Sequence, residues 1–302
     1  MAEGQAYRQY RRDIAPAFFF APGQMPSGAL VSTAGARAEA DDVLKGRFRY
    51  FTVHECQLGF PPDWMLNPIT GQQDSAARHW CDRDDFEPER GDIKWYWEPA
   101  RFTWAFALVR AYAATGDEKY PEGFWSILES FLAANPPQMG PNWQCGQETA
   151  LRAMACSMAL YAFVASPSAT PARLGALAKM LAFSGERIEG NIAYALSQRS
   201  NHATTEAAGL LTLGLLFPEF SSSARWRSMG FNQLCAEALA HNWTDGSYVQ
   251  HSMNYQRMTL HCHVWAIRLA EQNSVEFPAD VRNRVAASAA FLYALQDDCD
   301  GR

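Results

Sequence analysis

No stretch of this 302-residue sequence is long and apolar enough to cross a bilayer. The short run Phe18-Phe19-Phe20-Ala21 is bracketed by Pro16 and Pro22, and the opening Met1–Arg8 leads into no apolar h-region, which argues against a signal peptide. Charge is sparse: 19% of residues are Asp, Glu, Lys or Arg, and the net charge of −6 excludes a general nucleic-acid surface. It leaves an acidic polysaccharide open as a partner, because local Arg and Lys can line a cleft in an acidic protein. The seven cysteines are odd in number and lack paired spacing, which speaks against a disulfide framework. A reduced, cytoplasmic setting is the expectation, or a periplasmic or secreted one if a leader has been removed. A Gly-rich phosphate loop, a Gly-x-Ser-x-Gly elbow and a Cys-x-x-Cys pair are all missing, so no cofactor is expected.

What is present is a helical pattern. With 48% hydrophobic residues and this length, the chain can bury a substantial core as one large domain or two small ones. Residues 1–90 are rich in Pro, Gly and aromatics and read as an irregular segment with one short helix near Ala38–Arg47. From residue 91 to 302 the chain reads as consecutive helices. Phe102, Phe106 and Val109 mark one apolar face, and Tyr120, Phe124, Ile127 and Phe131 mark the next. Thr115-Gly116-Asp117 supplies a glycine stop and an aspartate start between them. Further helices are expected at about 145–165, 172–197, 202–216, 223–241, 250–272 and 279–297. Breaks fall at Asn135-Pro136-Pro137, at Ser166–Pro171 and at Phe217-Pro218. No alternating run argues for a strand. Short connections between such helices suggest antiparallel hairpins, which a plain bundle and an α/α toroid satisfy equally.

Two segments carry the chemistry. Ser200-Asn201-His202-Ala203-Thr204-Thr205-Glu206 and Asp245-Gly246-Ser247-Tyr248-Val249-Gln250-His251-Ser252-Met253-Asn254-Tyr255 each open a helix. They bring an amide, an imidazole and a phenol to helix starts, where free N–H groups already favour an anion. An amide or imidazole can neutralise a sugar carboxylate, and a phenol can move the adjacent proton. Those are the needs of β-elimination from a uronic acid. Taken alone, Asn before a helix is more often its N-cap, and Tyr on an amphipathic helix is more often half-buried packing. A free phenol titrates near ~10, so a tyrosine base needs a cation or donors beside it. Arg199, Arg257 and His251 are available in sequence, His251 one turn before Tyr255 on the expected helix.

A third segment, Asn142-Trp143-Gln144-Cys145-Gly146-Gln147-Glu148-Thr149-Ala150-Leu151-Arg152, sets a Trp and polar groups at another helix start. Trp143 can stack on a sugar ring, and Gln147 and Glu148 can hold its hydroxyls; an ordinary helix start fits equally well. Trp97 and Arg101 precede a helix in Trp95–Phe102, and with Arg199 and Trp243 they are further candidates for a cleft rim. His261-Cys262-His263 looks metal-like, but i and i+2 side chains on a helix point apart, so packing is favoured and no metal is expected.

These segments resemble the helical domain of the heparinase II/III-like polysaccharide lyases, which include heparan-sulfate and alginate lyases. The similarity runs from about residue 50 onward and is strongest at 142–152, 199–210 and 245–257. It implies an all-α, incomplete α/α toroid and a uronate-containing polysaccharide as substrate. It implies Asn201 as the carboxylate neutraliser, His202 as the His of alginate-type members, and Tyr255 as the proton-transferring residue. Some relatives carry Glu-Gln where this chain has Gln250-His251. The resemblance also implies a β-sandwich-rich region after the helical domain, supplying a further catalytic His or Tyr in several members; this chain ends near the last expected toroid helix.

Two other functions compete. A glycoside hydrolase on an α/α scaffold would need two carboxyl groups facing one bond, with Asp92, Glu98, Glu148, Glu206 and Asp245 as candidates. A non-catalytic carbohydrate-binding domain would need neither.

Overall fold

The structure is a computed structural model that describes residues 2–24, 33–84 and 87–297. Two compact units emerge. One comprises Met1–Ala15 with Phe20–Arg187; the other comprises Pro16–Phe19 with Ile188–Arg302.

The first unit holds α1 (Ala2–Asp13), α2 (Thr33–Leu44), a hairpin of β1 (Arg47–Tyr50) and β2 (His54–Gln57), then α3 (Lys94–Ala100), α4 (Ala105–Thr115), α5 (Lys119–Ala134) and α6 (Gly146–Phe163). The long α7 (Pro171–Ser197) begins in this unit and ends in the second. The stretch read as irregular therefore carries two helices and a strand pair. The strands pair antiparallel, Phe48 opposite Cys56 and Tyr50 opposite His54. Phe48 and Tyr50 are buried while Arg47 and Arg49 are exposed, an alternation only four residues long.

Phe102 is not on the face of α4. Its backbone is left-handed (φ 60°) and α4 starts three residues later. Its ring instead stacks on Trp64 at 5.8 Å and meets Phe131 edge-on at 5.2 Å, seeding an aromatic core. The turn between α4 and α5 forms as expected: Gly116 is left-handed (φ 65°), and Asp117 accepts from the Lys119 N–H at 3.0 Å. Arg152 of α6 is wholly buried, donating to the carbonyls of Ala100 (3.1 Å) and Asn142 (2.9 Å) and lying over the rings of Phe131 and Trp143.

The second unit contains α8 (Asn201–Leu216), α9 (Ser223–His241), α10 (Met253–Gln272) and α11 (Ala279–Ala294). Helix α8 is buried along nearly its whole length, consistent with its run of Ala, Leu and Gly. It meets α9 backbone to backbone. A Cβ on Gly230 would lie 2.5 Å from the Leu211 nitrogen, and one on Gly214 would lie 2.4 Å from the Arg227 nitrogen. Across α8 and α10, Trp265 donates its indole N–H to Thr212 Oγ1 at 3.0 Å. Among the described residues, no helix is long and apolar enough to cross a membrane.

Candidate active site

In the second unit, Ser200 is the N-cap of α8, its hydroxyl accepting from the His202 N–H at 3.4 Å. Asn201 is thus the first helical residue and not the cap, and it is 3% exposed, with His202 half-buried beside it. Its backbone N–H donates to Gln250 Oε1 at 2.9 Å, and its side-chain amide lies 3.5 Å from the sulfur of Met258. The two segments singled out from the sequence are therefore joined directly. Gln250 and Met258 make that junction and were not singled out from the sequence, although Gln250 lies inside the quoted motif.

Helix α10 begins at Met253, with Ser252 as its cap, not at residue 250. His251 consequently stands outside the helix, with a left-handed backbone (φ 50°), and does not share a helical face with Tyr255. Its ring instead meets Trp243 edge-on, centroids 5.6 Å apart. A tight turn presents this pair: Trp243 N–H donates to the Ser247 carbonyl at 2.9 Å, and Asp245 Oδ1 accepts from both the backbone and the hydroxyl of Ser247. Gly246 is left-handed there (φ 91°), and a Cβ would fall 2.2 Å from the Ala287 carbonyl oxygen. Tyr255 lies in the first turn of α10 and is 46% exposed. Arg199 is exposed just before α8, and Arg257 donates to Asn254 Oδ1 at 2.6 Å.

Beneath this surface lies a buried polar group. His241 Nδ1 sits 2.7 Å from a Glu237 carboxylate oxygen on α9. On α10, His261 is exposed while His263 is buried, so the two point apart as their spacing requires. Neither ring nitrogen of His263 has a hydrogen-bond partner among the described residues. Burial first, then the neighbouring His241, pushes its pKa down to about 4. The native state therefore excludes a proton that the unfolded chain takes up below about pH 6.5. Stability should be fully present above pH 6.5 and decline as pH falls toward 4, by on the order of 3 kcal/mol at the acid end. Urea titrations at pH 7 and pH 4.5 check this, and His263→Phe should flatten the difference.

The first unit holds the remaining sequence candidates. Trp97 is half-buried and donates its indole N–H to the Pro141 carbonyl at 2.8 Å. Trp143 is completely buried, bonded to the Asn135 carbonyl at 3.2 Å and covered by Arg152. It cannot offer a face to a sugar, so the stacking role expected of it is withdrawn. Gln147 and Glu148 are buried as well. Arg101 bridges Glu148 and Glu98, with Nη2 donating to Glu148 Oε1 at 3.0 Å and further short contacts to both carboxylates. Burial alone would lower the Arg101 pKa, but Glu148 and then Glu98 outweigh it and raise it. Glu98 is raised by burial, only partly offset by Arg101. Two carboxylates here do converge, but on a guanidinium and not on an open bond.

The family model described as "Heparinase II/III N-terminus" matches residues 33–297. A heparin-sulfate lyase of Bacteroides thetaiotaomicron is 26% identical over 222 residues, covering 71% of this chain and 30% of its own. A heparin-sulfate lyase of Pedobacter heparinus is 27% identical over 255 residues, covering 74% of this chain and 38% of its own. The crystal structure of heparan sulfate lyase HepC from Pedobacter heparinus superposes with a TM-score of 0.68 at 23% identity, over 98% of this chain and 44% of that one. This likeness shows the fold, the all-α incomplete-toroid class expected from the sequence. The chain spans less than half the length of each of these relatives.

Proposed function

The chain belongs to the heparinase II/III family, and from that premise we propose that it forms the helical part of a polysaccharide lyase acting on a uronic-acid-containing polysaccharide. The observation that carries this reading is the junction of Asn201 with Gln250 and Met258, which sets the amide-bearing helix start against the helix that bears the exposed Tyr255. The reaction is β-elimination. Asn201, at the positive end of α8, neutralises the sugar carboxylate and makes the C5 proton easier to remove. Tyr255 takes that proton or delivers one to the glycosidic oxygen. The C5–H and C4–O bonds break, a C4=C5 double bond forms, and the proton ends on the leaving oxygen. His202, Arg199 and His251 are proposed to bind the acidic substrate from the same unit.

The assay follows the ultraviolet absorbance of unsaturated uronate on alginate, heparan sulfate, hyaluronan and bacterial exopolysaccharides. Because the relatives are longer, it is run on this chain and on a version joined to the C-terminal region of the Pedobacter heparinus enzyme. New reducing ends without the double bond would indicate a hydrolase; binding without products would indicate a carbohydrate-binding domain. Asn201→Ala should slow turnover by roughly 100-fold, since a lost transition-state donor of this kind is worth on the order of 3 kcal/mol. An unchanged rate would remove Asn201 from the mechanism.

A further inference from the structure

His79, Cys81 and Asp82 form the one group of three potential metal ligands whose donor atoms, among the described residues, all lie within 4.8 Å of one another. His79 Nδ1 is 2.9 Å from Cys81 Sγ, and Cys81 Sγ is 3.6 Å from Asp82 Oδ1. Zinc–ligand bonds of about 2.0–2.3 Å at tetrahedral angles put ligand atoms roughly 3.3–3.8 Å apart. The sulfur–carboxylate spacing already fits, the imidazole must swing away from the sulfur, and the imidazole and carboxylate already lie within 4.8 Å of each other. The Cys81 N–H, which contacts the same Nδ1 at 3.3 Å, is a long hydrogen bond that an ion readily displaces.

The segment is held in place by its backbone. The Trp80 N–H donates to the Gln138 carbonyl and the Gly140 N–H to the Arg78 carbonyl, both at 2.9 Å. The Arg187 guanidinium lies 3.6 Å from the Trp80 ring centroid. Cys81 and Asp82 are exposed, so an ion reaches them from solvent. A thiolate, a carboxylate and a neutral imidazole carry two negative charges, matching a dication. Of the nearby guanidiniums, Arg83 is paired with Asp74 and Arg78 with Glu87, while Arg187 donates to the Trp143 and Gln144 carbonyls. Sulfur and nitrogen donors disfavour calcium and magnesium and favour a borderline transition ion.

We propose that His79, Cys81 and Asp82 bind a divalent transition ion, with zinc the best fit and solvent completing the fourth position. No step of the elimination chemistry depends on this site. Binding requires the Cys81 thiol to give up its proton, so one proton is released per ion.

The test titrates the whole chain anaerobically with Co²⁺ as the spectroscopic probe, then with Zn²⁺ in competition. The expected result is a thiolate-to-cobalt charge-transfer band saturating at one ion per chain, displaced by zinc, with one proton released to a weak buffer. Cys81→Ser should abolish the band. His79→Ala and Asp82→Asn should each weaken binding by at least about tenfold, because even outer partners of a metal ligand are worth that much. A band that fails to form, or one unchanged in Cys81→Ser with the thermal melt unaltered, overturns the assignment.

Discussion

Tyr255→Phe should lower the rate of the proposed elimination by roughly 10²- to 10⁴-fold, the span attributed to a positioned acid or base. The expectation rests on removing one oxygen and nothing else. The ring sits in the first turn of α10, nearly half exposed. Its hydroxyl makes no hydrogen bond to any described residue, so the fold should keep its stability to within about 0.5 kcal/mol. The loss should therefore appear in kcat with little change in KM, the signature of an interaction made in the transition state. Near-parental turnover in the variant, on a substrate the parent cleaves, would remove Tyr255 from the chemistry.

Arg101→Ala should strongly destabilise the first unit. It strands Glu98 and Glu148, which are 9% and 3% exposed, without the guanidinium that both contact. Breaking a buried ion pair from one side costs about 3–5 kcal/mol, and the lower end applies because Arg101 keeps 21% of its side chain exposed. The pH dependence has a definite sign. Glu98 already lies above the ordinary carboxylate range because of burial, and losing its cation raises it further. A carboxylate with a raised folded pKa contributes its stability at low pH and loses it as pH rises. The destabilisation by Arg101→Ala should therefore be greatest near neutrality and shrink toward pH 4, as denaturant titrations at both values would record. A loss below about 1 kcal/mol at pH 7 would mean the three groups are loosely held and that Arg101 is free to serve the substrate, as its sequence context suggested.

The elements that sequence periodicity exposed are those that bury a single long face. Tyr120, Phe124, Ile127 and Phe131 do so on α5, and the glycine and proline breaks bounded α6 through α9 to within a residue or two. Helix α1 escaped because its sequence is dominated by Gln, Arg and Tyr, and β1 and β2 because four residues are too few to establish an alternation. The site divides along a similar line. The segments around Asn201 and Tyr255 stood out through their resemblance to the lyase family, and the structure joins them through Gln250 and Met258. The surroundings were not legible. Whether Trp143 is platform or core depends on Arg152 and Asn135 closing over it, and whether His251 joins the helix depends on where Ser252 caps it. Both are settled by residues that are ordinary when read singly.

The glycine contacts between α8 and α9 have a consequence for motion. With the backbones touching at Gly214 and Gly230, α8 can neither roll nor slip along its axis without driving main chain into main chain. The helix start that carries Asn201 is therefore a fixed post on any timescale short of local unfolding. The Trp243–His251 turn is pinned in the same way, by Gly246 against the Ala287 carbonyl, so what can move there is the two exposed rings and not the main chain. Under the proposed function, substrate range would then follow from the side chains on that turn, and could drift by substitution there while the Asn201 amide keeps its place.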